Sequence, residues 1–345
     1  MHVLTSFRTS AARLRSSGAL LALASLIVLA LSPGSAKSAP PLPLGKVTLE
    51  SGGDSTCPAG FKCQRFSVTC PQVAQDASGV LAKAPAAGAA RGMVLFFNGD
   101  EGTTWWAGTP QADSLLSDLR RHHLAVVQVR WVDSWLVAPP GSEVGPGVLA
   151  CRPSSIIAWV HDHLYKPTAK HHARTCGFCA TGNSGGASEI SYALSFYGLD
   201  TMLDVVVPTS GPPHAAILKG CDPAKGSKAY RYSPTAANLI DDSYGFAAGT
   251  GPCTAHSTDS AWATMWHDGA VDTGGNDFFH PRTRIVFILG GQDAGVAPPH
   301  AMDYLKKLRR AKSPAVYLRR PSAMPHAVQA SDRGLYYLGL ALERT

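Results

Sequence analysis

Gly182-Asn183-Ser184-Gly185-Gly186 matches G-x-S-x-G. A short apolar run from Phe178 precedes it, and a helix-like run through Ile190, Ala193, Leu194 and Tyr197 follows it. This is the layout of a nucleophile elbow, in which a strand turns sharply into a helix with serine at the apex. The glycines have a physical reason. The serine takes a strained backbone conformation, and side chains two residues before and after it would collide. A serine hydroxyl is a weak nucleophile at neutral pH; it needs a base within hydrogen-bond reach and an acid to orient that base. Two other stretches supply them. Gly290-Gly291-Gln292-Asp293 directly follows the apolar run Arg284 to Leu289, and Met324-Pro325-His326 follows the run Ala315 to Leu318. Ser184, Asp293 and His326 therefore occur in the order nucleophile, acid, histidine. Asp272 and Asp277 are rival acids. His280 and His300 are rival histidines that fit the strand-end pattern less well.

The surrounding chain alternates between strand-like and helix-like segments. Met93 to Phe97 is apolar throughout, as expected of a strand buried on both faces. Leu124 to Val129 and Leu203 to Val207 read the same way. Shorter strands are expected at Lys46 to Glu50, Gln64 to Thr69 and Gly79 to Ala84. Helices are expected at Ala112 to His122, Ser154 to Leu164, Pro299 to Arg310 and Asp332 to Leu342. Between His214 and Pro281 no clear strand is visible, so residues 214–281 are expected to form an insertion or lid ahead of the penultimate strand. The alternation predicts an α/β protein with a mostly parallel central sheet covered by helices on both faces.

On these residues the chain resembles the α/β-hydrolase superfamily, from about Lys46 to the end. The resemblance rests on the elbow and on Gly-Gly-Gln-Asp after the penultimate strand. It rests also on Pro-His-Ala-Val after the last strand and Phe-Phe-Asn-Gly after an early one. It implies Ser184 as nucleophile, His326 as general base and acid, and Asp293 as the group that orients His326. It also implies an oxyanion hole made by the backbone N–H groups of Gly185 and Asp100. Asn98-Gly99 stands where many members carry His-Gly, which leaves Glu101 as a rival to Asp100. The implied activity is hydrolysis of a carboxylic ester through an acyl-enzyme, with no cofactor. Peptide or amide cleavage, depolymerisation of a polyester, and a non-catalytic binding protein of the same fold are the alternatives.

Trp105 and Trp106 follow the oxyanion turn and are expected to wall the acyl or alcohol pocket. Trp131 and Trp135 follow another strand at the same sheet edge. Trp262 and Trp266, four apart, share a helical face that could cover the site; core packing is the competing reading for all of them. So many aromatics suit an ester substrate that is bulky or polymeric.

Composition sets the outer bounds. Arg8, Arg13 and Arg15 precede an apolar run from Ala19 to Leu31, and Ser32-Pro-Gly-Ser-Ala36 closes it. Residues 1–36 are thus expected to be a cleaved signal peptide, and the run is short for a membrane span of about 20 residues. Removing them lowers the formal charge from +7 to +4 and leaves 309 of 345 residues. Residues 37–45 are Pro-rich and read as a linker to one domain at 46–345. Export to the periplasm or medium, without a stable membrane anchor, follows from this reading. The residual charge forms no basic stripe, so nucleic acid is not expected as a partner.

All eight cysteines lie after Ala36, and an even number in an exported chain reads as disulfides. One bridge is expected within Cys57 to Cys70, one between Cys221 and Cys253, and one or two among Cys151, Cys176 and Cys179. Cys176-Gly-Phe-Cys179 leads into a strand rather than opening a helix, which argues against a redox site. His122-His123, His161 with His163, and His171-His172 complete no zinc signature, so no catalytic metal is expected.

Overall fold

The computed structural model of the protein describes residues 40–165 and 175–343. The expected signal peptide at residues 1–36 and the pair His171-His172 lie outside them. In chain order the strands are β1 (Lys46–Leu49), β2 (Lys62–Thr69), β3 (Ala77–Ala84) and β4 (Gly92–Phe97). After helix α1 (Pro110–Arg121) come β5 (Leu124–Trp131), α2 (Pro146–Leu149), α3 (Cys151–Val160), β6 (Phe178–Asn183) and α4 (Gly185–Ser195). Strand β7 (Val205–Thr209) leads to three helices, α5 (Ile217–Cys221), α6 (Pro234–Ser243) and α7 (Ser260–Gly269). The chain closes with β8 (Arg284–Ile288), α8 (Ala297–Arg310), β9 (Val316–Arg319) and α9 (Asp332–Glu343).

The strands form one nine-stranded sheet in the order β1-β2-β3-β5-β4-β6-β7-β8-β9. The first three strands join antiparallel, and every pairing from β5 through β9 is parallel. The continuous apolar run of β4 shows why the sheet is covered on both sides. Met93, Leu95 and Phe97 enter the core shared with α3, α4 and α8, whereas Val94 and Phe96 enter the core shared with α1 and α9. Phe96 and Phe97 are fully buried; such burial contributes about 2 kcal/mol per side chain. Helix α1 is held at its start by Thr109, whose hydroxyl accepts the Ala112 N–H, and by Pro110 in its first turn. Leu115, Leu116 and Leu119 are its buried stripe.

Residues 40–45 run along the domain surface: the Leu42 N–H donates to the Phe196 carbonyl at 2.8 Å and the Gly45 N–H to Ser155 Oγ at 2.7 Å. The segment from His214 to Pro281 contains no strand, and its helices α5 to α7 build a separate small core around Ile217, Ile240 and Trp266.

Four disulfides are present. Cys57–Cys63, Cys221–Cys253 and Cys176–Cys179 fall where expected. Cys151 departs from expectation. It pairs with Cys70, tying the end of β2 to the start of α3 across 81 residues, because the sheet folds those two ends together. Among the described residues no helix is long and apolar enough to cross a membrane.

Candidate active site

Strands β4 and β6 are parallel neighbours, with Phe97 opposite Gly182. The chain order reverses between them, since β5 lies on the far side of β4. A crevice at such a switch point, outside the carboxyl ends of the strands, is where ligands bind in open α/β sheets. The turns after β4 and β6 therefore meet there, and those after β8 and β9 come alongside.

Ser184 alone makes the turn between β6 and α4, with φ 51° and ψ −114°. L side chains seldom adopt such a backbone, and its surroundings hold it there. The Ser184 N–H donates to the Thr209 carbonyl at the end of β7 at 2.9 Å, and its carbonyl accepts the Ala187 N–H at 2.9 Å. A Cβ on Gly186 would stand 2.6 Å from the carbonyl oxygens of Phe97 and Asn98, and one on Gly182 would overlap the Gly186 carbonyl. The flanking glycines thus let three stretches of backbone pack directly on one another.

His326 follows β9, and its Nδ1 lies 2.7 Å from Asp293 Oδ2, in the turn after β8. An ionised carboxylate only accepts hydrogen bonds, so Nδ1 carries the proton and Nε2 keeps a free lone pair. The Asp293 side chain is 3% exposed and that of His326 44% exposed. The other oxygen of Asp293 accepts the Gly295 N–H at 3.0 Å, which sets the carboxylate in its glycine turn. The hydrogen bond that His326 donates to Asp293 raises the His326 pKa above the ordinary 6.5; the charges of Asp293 and Asp100 add to this, and burial opposes it.

One prediction follows from Asp100. Its φ is 51°, a conformation asparagine tolerates well, so Asp100→Asn keeps the turn and removes the charge. Loss of an anion disfavours imidazolium and lowers the His326 pKa. If neutral His326 is the base, the acid limb of kcat/KM moves to lower pH, by less in high salt because Asp100 is exposed. An unmoved limb at low ionic strength contradicts this.

The turn after β4 lies against the elbow: a Cβ on Gly185 would overlap the Asp100 carbonyl oxygen. The Gly185 N–H is at the first position of α4, where backbone donors have no partner within the helix. Side chains to which the sequence reading gave no such role brace this arrangement. Asn98 donates to Thr104 Oγ1 at 2.7 Å and to the Trp105 carbonyl at 2.9 Å, and accepts from Gln329 Nε2 at 3.3 Å. Asn183 Oδ1 accepts from Thr209 Oγ1 at 3.1 Å and from the Val328 N–H at 3.5 Å. These two amides tie the β4 turn and the elbow to the histidine loop. Behind them Trp131 Nε1 donates to Glu189 Oε2 at 2.9 Å, while the Trp131 N–H donates to the Gly102 carbonyl at 2.9 Å. Burial pushes the Glu189 carboxyl well above the usual range.

Asp100, Ser184, Gly185, Asp293 and His326 all line one cavity of about 550 Å³. The segment after β7 supplies much of the remaining wall: Pro213, His214, Tyr232, Ala236 and Leu239, with the exposed Arg231. Burial, helped by His300, pushes His214 down to about 3, so this wall presents a neutral imidazole. The rival residues lie elsewhere. Asp277 and His280 sit before β8, at the other end of the strands, and His300 bonds the Tyr230 carbonyl at 3.0 Å.

No tryptophan lines this cavity, and most of them follow the competing reading, core packing. Trp105 lines a different depression, with Pro58, Phe61 and Leu116, and its indole donates to the Thr56 carbonyl at 2.7 Å. The Asn98 bonds to Thr104 and Trp105 close the turn and send the chain outward. Trp106 then buries itself against Phe96 in the core under α1, with ring centroids 4.7 Å apart. Trp131, Trp135 and Trp266 are fully buried core side chains, and Trp262 packs edge-on to Phe246. Cavity-wall residues such as Tyr232 and Leu239 escaped notice because they carry no motif; a segment predicted to cover the sheet edge was their only signal.

No model of a known protein family matches the chain, and no curated protein matches it. Solved structures do. A bacterial heroin esterase superposes with a TM-score of 0.52 at 14% identity, covering 83% of this chain and 84% of that one. Est1E from Butyrivibrio proteoclasticus gives 0.48 at 11% identity over 83% and 96%. A thermostable esterase from Pseudomonas putida gives 0.46 at 15% identity over 82% and 84%. At such identities the likeness is one of fold. Together with the mostly parallel sheet and its two helical layers, the likeness to the heroin esterase shows that the chain has the α/β-hydrolase fold.

Proposed function

We propose that the protein is an exported serine hydrolase that cleaves carboxylic esters through an acyl-enzyme on Ser184. The observation that carries this reading is the strained elbow serine sharing one cavity with the 2.7 Å Asp293–His326 pair. Ser184 Oγ attacks the ester carbonyl while His326 Nε2 takes its proton. Asp293 holds the Nδ1–H and stabilises the imidazolium that forms. The Gly185 and Asp100 N–H groups receive the developing oxyanion, a contribution of about 3 kcal/mol per donor. His326 returns the proton to the alcohol, which leaves. Water then attacks the acyl-enzyme by the same steps in reverse, and the acid is released. The basic and apolar residues 8–31 and the four disulfides support export. The segment 214–281, which supplies one wall of the cavity, acts as the specificity-bearing insertion.

A series of p-nitrophenyl esters of increasing acyl length, run beside the matching anilides, tests the assignment. Turnover of esters far faster than that of the matching anilides is expected. The apolar wall of Pro213, Ala236 and Leu239 favours acyl chains longer than acetyl. Anilide turnover equal to ester turnover would instead mark a peptidase or amidase.

A further inference from the structure

At the end of the sheet opposite the cavity lies a group of side chains that ester cleavage does not use. Strands β7 and β8 are parallel neighbours, with Val205 opposite Arg284. The segments that lead into them therefore meet at their N-terminal ends. The first supplies Asp200, in the single turn Leu199–Thr201; the second supplies Asp277 and His280. Backbone and hydroxyl bonds fix both segments. Thr283 Oγ1 donates to the Leu203 carbonyl at 2.7 Å and the Asp200 carbonyl at 3.1 Å. The Asp277 N–H donates to the Ser195 carbonyl at 3.2 Å, and the His280 N–H to Ser313 Oγ at 3.0 Å.

One ring nitrogen of His280 and one oxygen of each carboxylate lie within 4.8 Å of one another. His280 is fully buried, yet neither of its ring nitrogens has a hydrogen-bond partner. Its Nδ1 stands 4.0 Å from Asp200 Oδ2, too far for a hydrogen bond. Buried polar groups are nearly always satisfied, so this imidazole calls for a partner. Ligand atoms bound at about 2.0–2.4 Å to a common ion stand no more than roughly 4.8 Å apart, and the three atoms here lie within that limit.

We propose that Asp200, Asp277 and His280 bind a divalent transition-metal ion, zinc being the best match, that staples the approach to β7 to the approach to β8. Two carboxylates balance the charge of such an ion. The imidazole favours zinc over calcium, which prefers an all-oxygen shell. Both aspartates are only partly buried, so water has access to complete the coordination. The ligands are 77 and 3 residues apart in sequence and form no zinc motif; only the pairing of β7 with β8 assembles them. The site is structural, remote from Ser184, and leaves turnover to the cavity at the other end of the strands.

Purified protein stripped with EDTA and titrated with zinc chloride, followed by calorimetry and thermal unfolding, tests this. One ion per chain is expected, with Tm raised by about 5 °C at a hundredfold excess over Kd, and calcium chloride should do far less. Asp277→Asn keeps an oxygen for the Phe279 N–H that Asp277 Oδ1 accepts at 2.8 Å. It should fold normally, keep its ester turnover, and bind zinc at least tenfold more weakly. His280→Gln should do the same to zinc binding. Zinc that fails to bind, or that binds and stabilises both variants as well as the parent, overturns the proposal.

Discussion

Replacing Ser184 by alanine is expected to lower kcat for a chromogenic ester by about 10⁴ to 10⁶-fold, the loss typical of removing the nucleophile from a serine hydrolase. The fold should survive. Alanine meets the same backbone strain at φ 51° that serine does, and the anchoring bonds to Thr209 and from Ala187 are made by main-chain atoms. A companion variant separates chemistry from strain. Ser184→Gly should be equally inactive yet more stable, because glycine enters this region without the cost of about 1–2 kcal/mol that an L side chain carries. Thermal unfolding of the three proteins, alongside their ester kinetics, measures both effects. If Ser184→Ala keeps more than a hundredth of the parental kcat, Ser184 is not the nucleophile. If Ser184→Gly unfolds earlier than the parent, the strain is not there.

Asp293→Asn should lower kcat by about 10⁴-fold while leaving the fold intact. The amide is nearly isosteric with the carboxylate, and its oxygen can still accept the Gly295 N–H now bound at 3.0 Å. Its NH₂ would then face His326 Nδ1 and donate to it. The ring proton moves to Nε2, the nitrogen that in the proposed reaction takes the proton from Ser184, so the proposed base would be disabled. Loss of the carboxylate also removes the largest influence holding the His326 pKa up. Residual activity should therefore reach its plateau at lower pH than in the parent. Asp272→Asn and Asp277→Asn serve as controls, since neither residue lines the cavity, and each should keep kcat within a fewfold. A large loss in either control with a small one in Asp293→Asn would reassign the orienting acid.

How much of this was legible beforehand differs from residue to residue for physical reasons. The run Met93 to Phe97 announced a strand covered on both faces because alternate side chains had to enter two different cores, and they do. Asp293 and His326 could be placed because a parallel sheet presents its turns at one edge, whatever their separation in sequence. The tryptophans misled. Aromatic composition near a site turn says nothing about direction, and the Asn98 side chain closes that turn so that Trp105 and Trp106 leave the cavity. Cys70 with Cys151 was likewise invisible, since only the finished sheet brings the end of β2 to α3. Glu189 carries no signal in the sequence. That it is buried and bonded to Trp131 depends on which face of α4 meets β5. Asp200, Asp277 and His280 are the extreme case, because none of them is near another in a pattern that metal motifs use.

The central claim is that Ser184 is an activated nucleophile. Incubating the folded protein with a fluorophosphonate probe and mapping the adduct by peptide mass spectrometry tests it most directly. One covalent adduct per chain is expected, on Ser184, absent from Ser184→Ala and formed far more slowly in Asp293→Asn. No adduct on the folded protein, or an adduct on another residue that persists in Ser184→Ala, would contradict it.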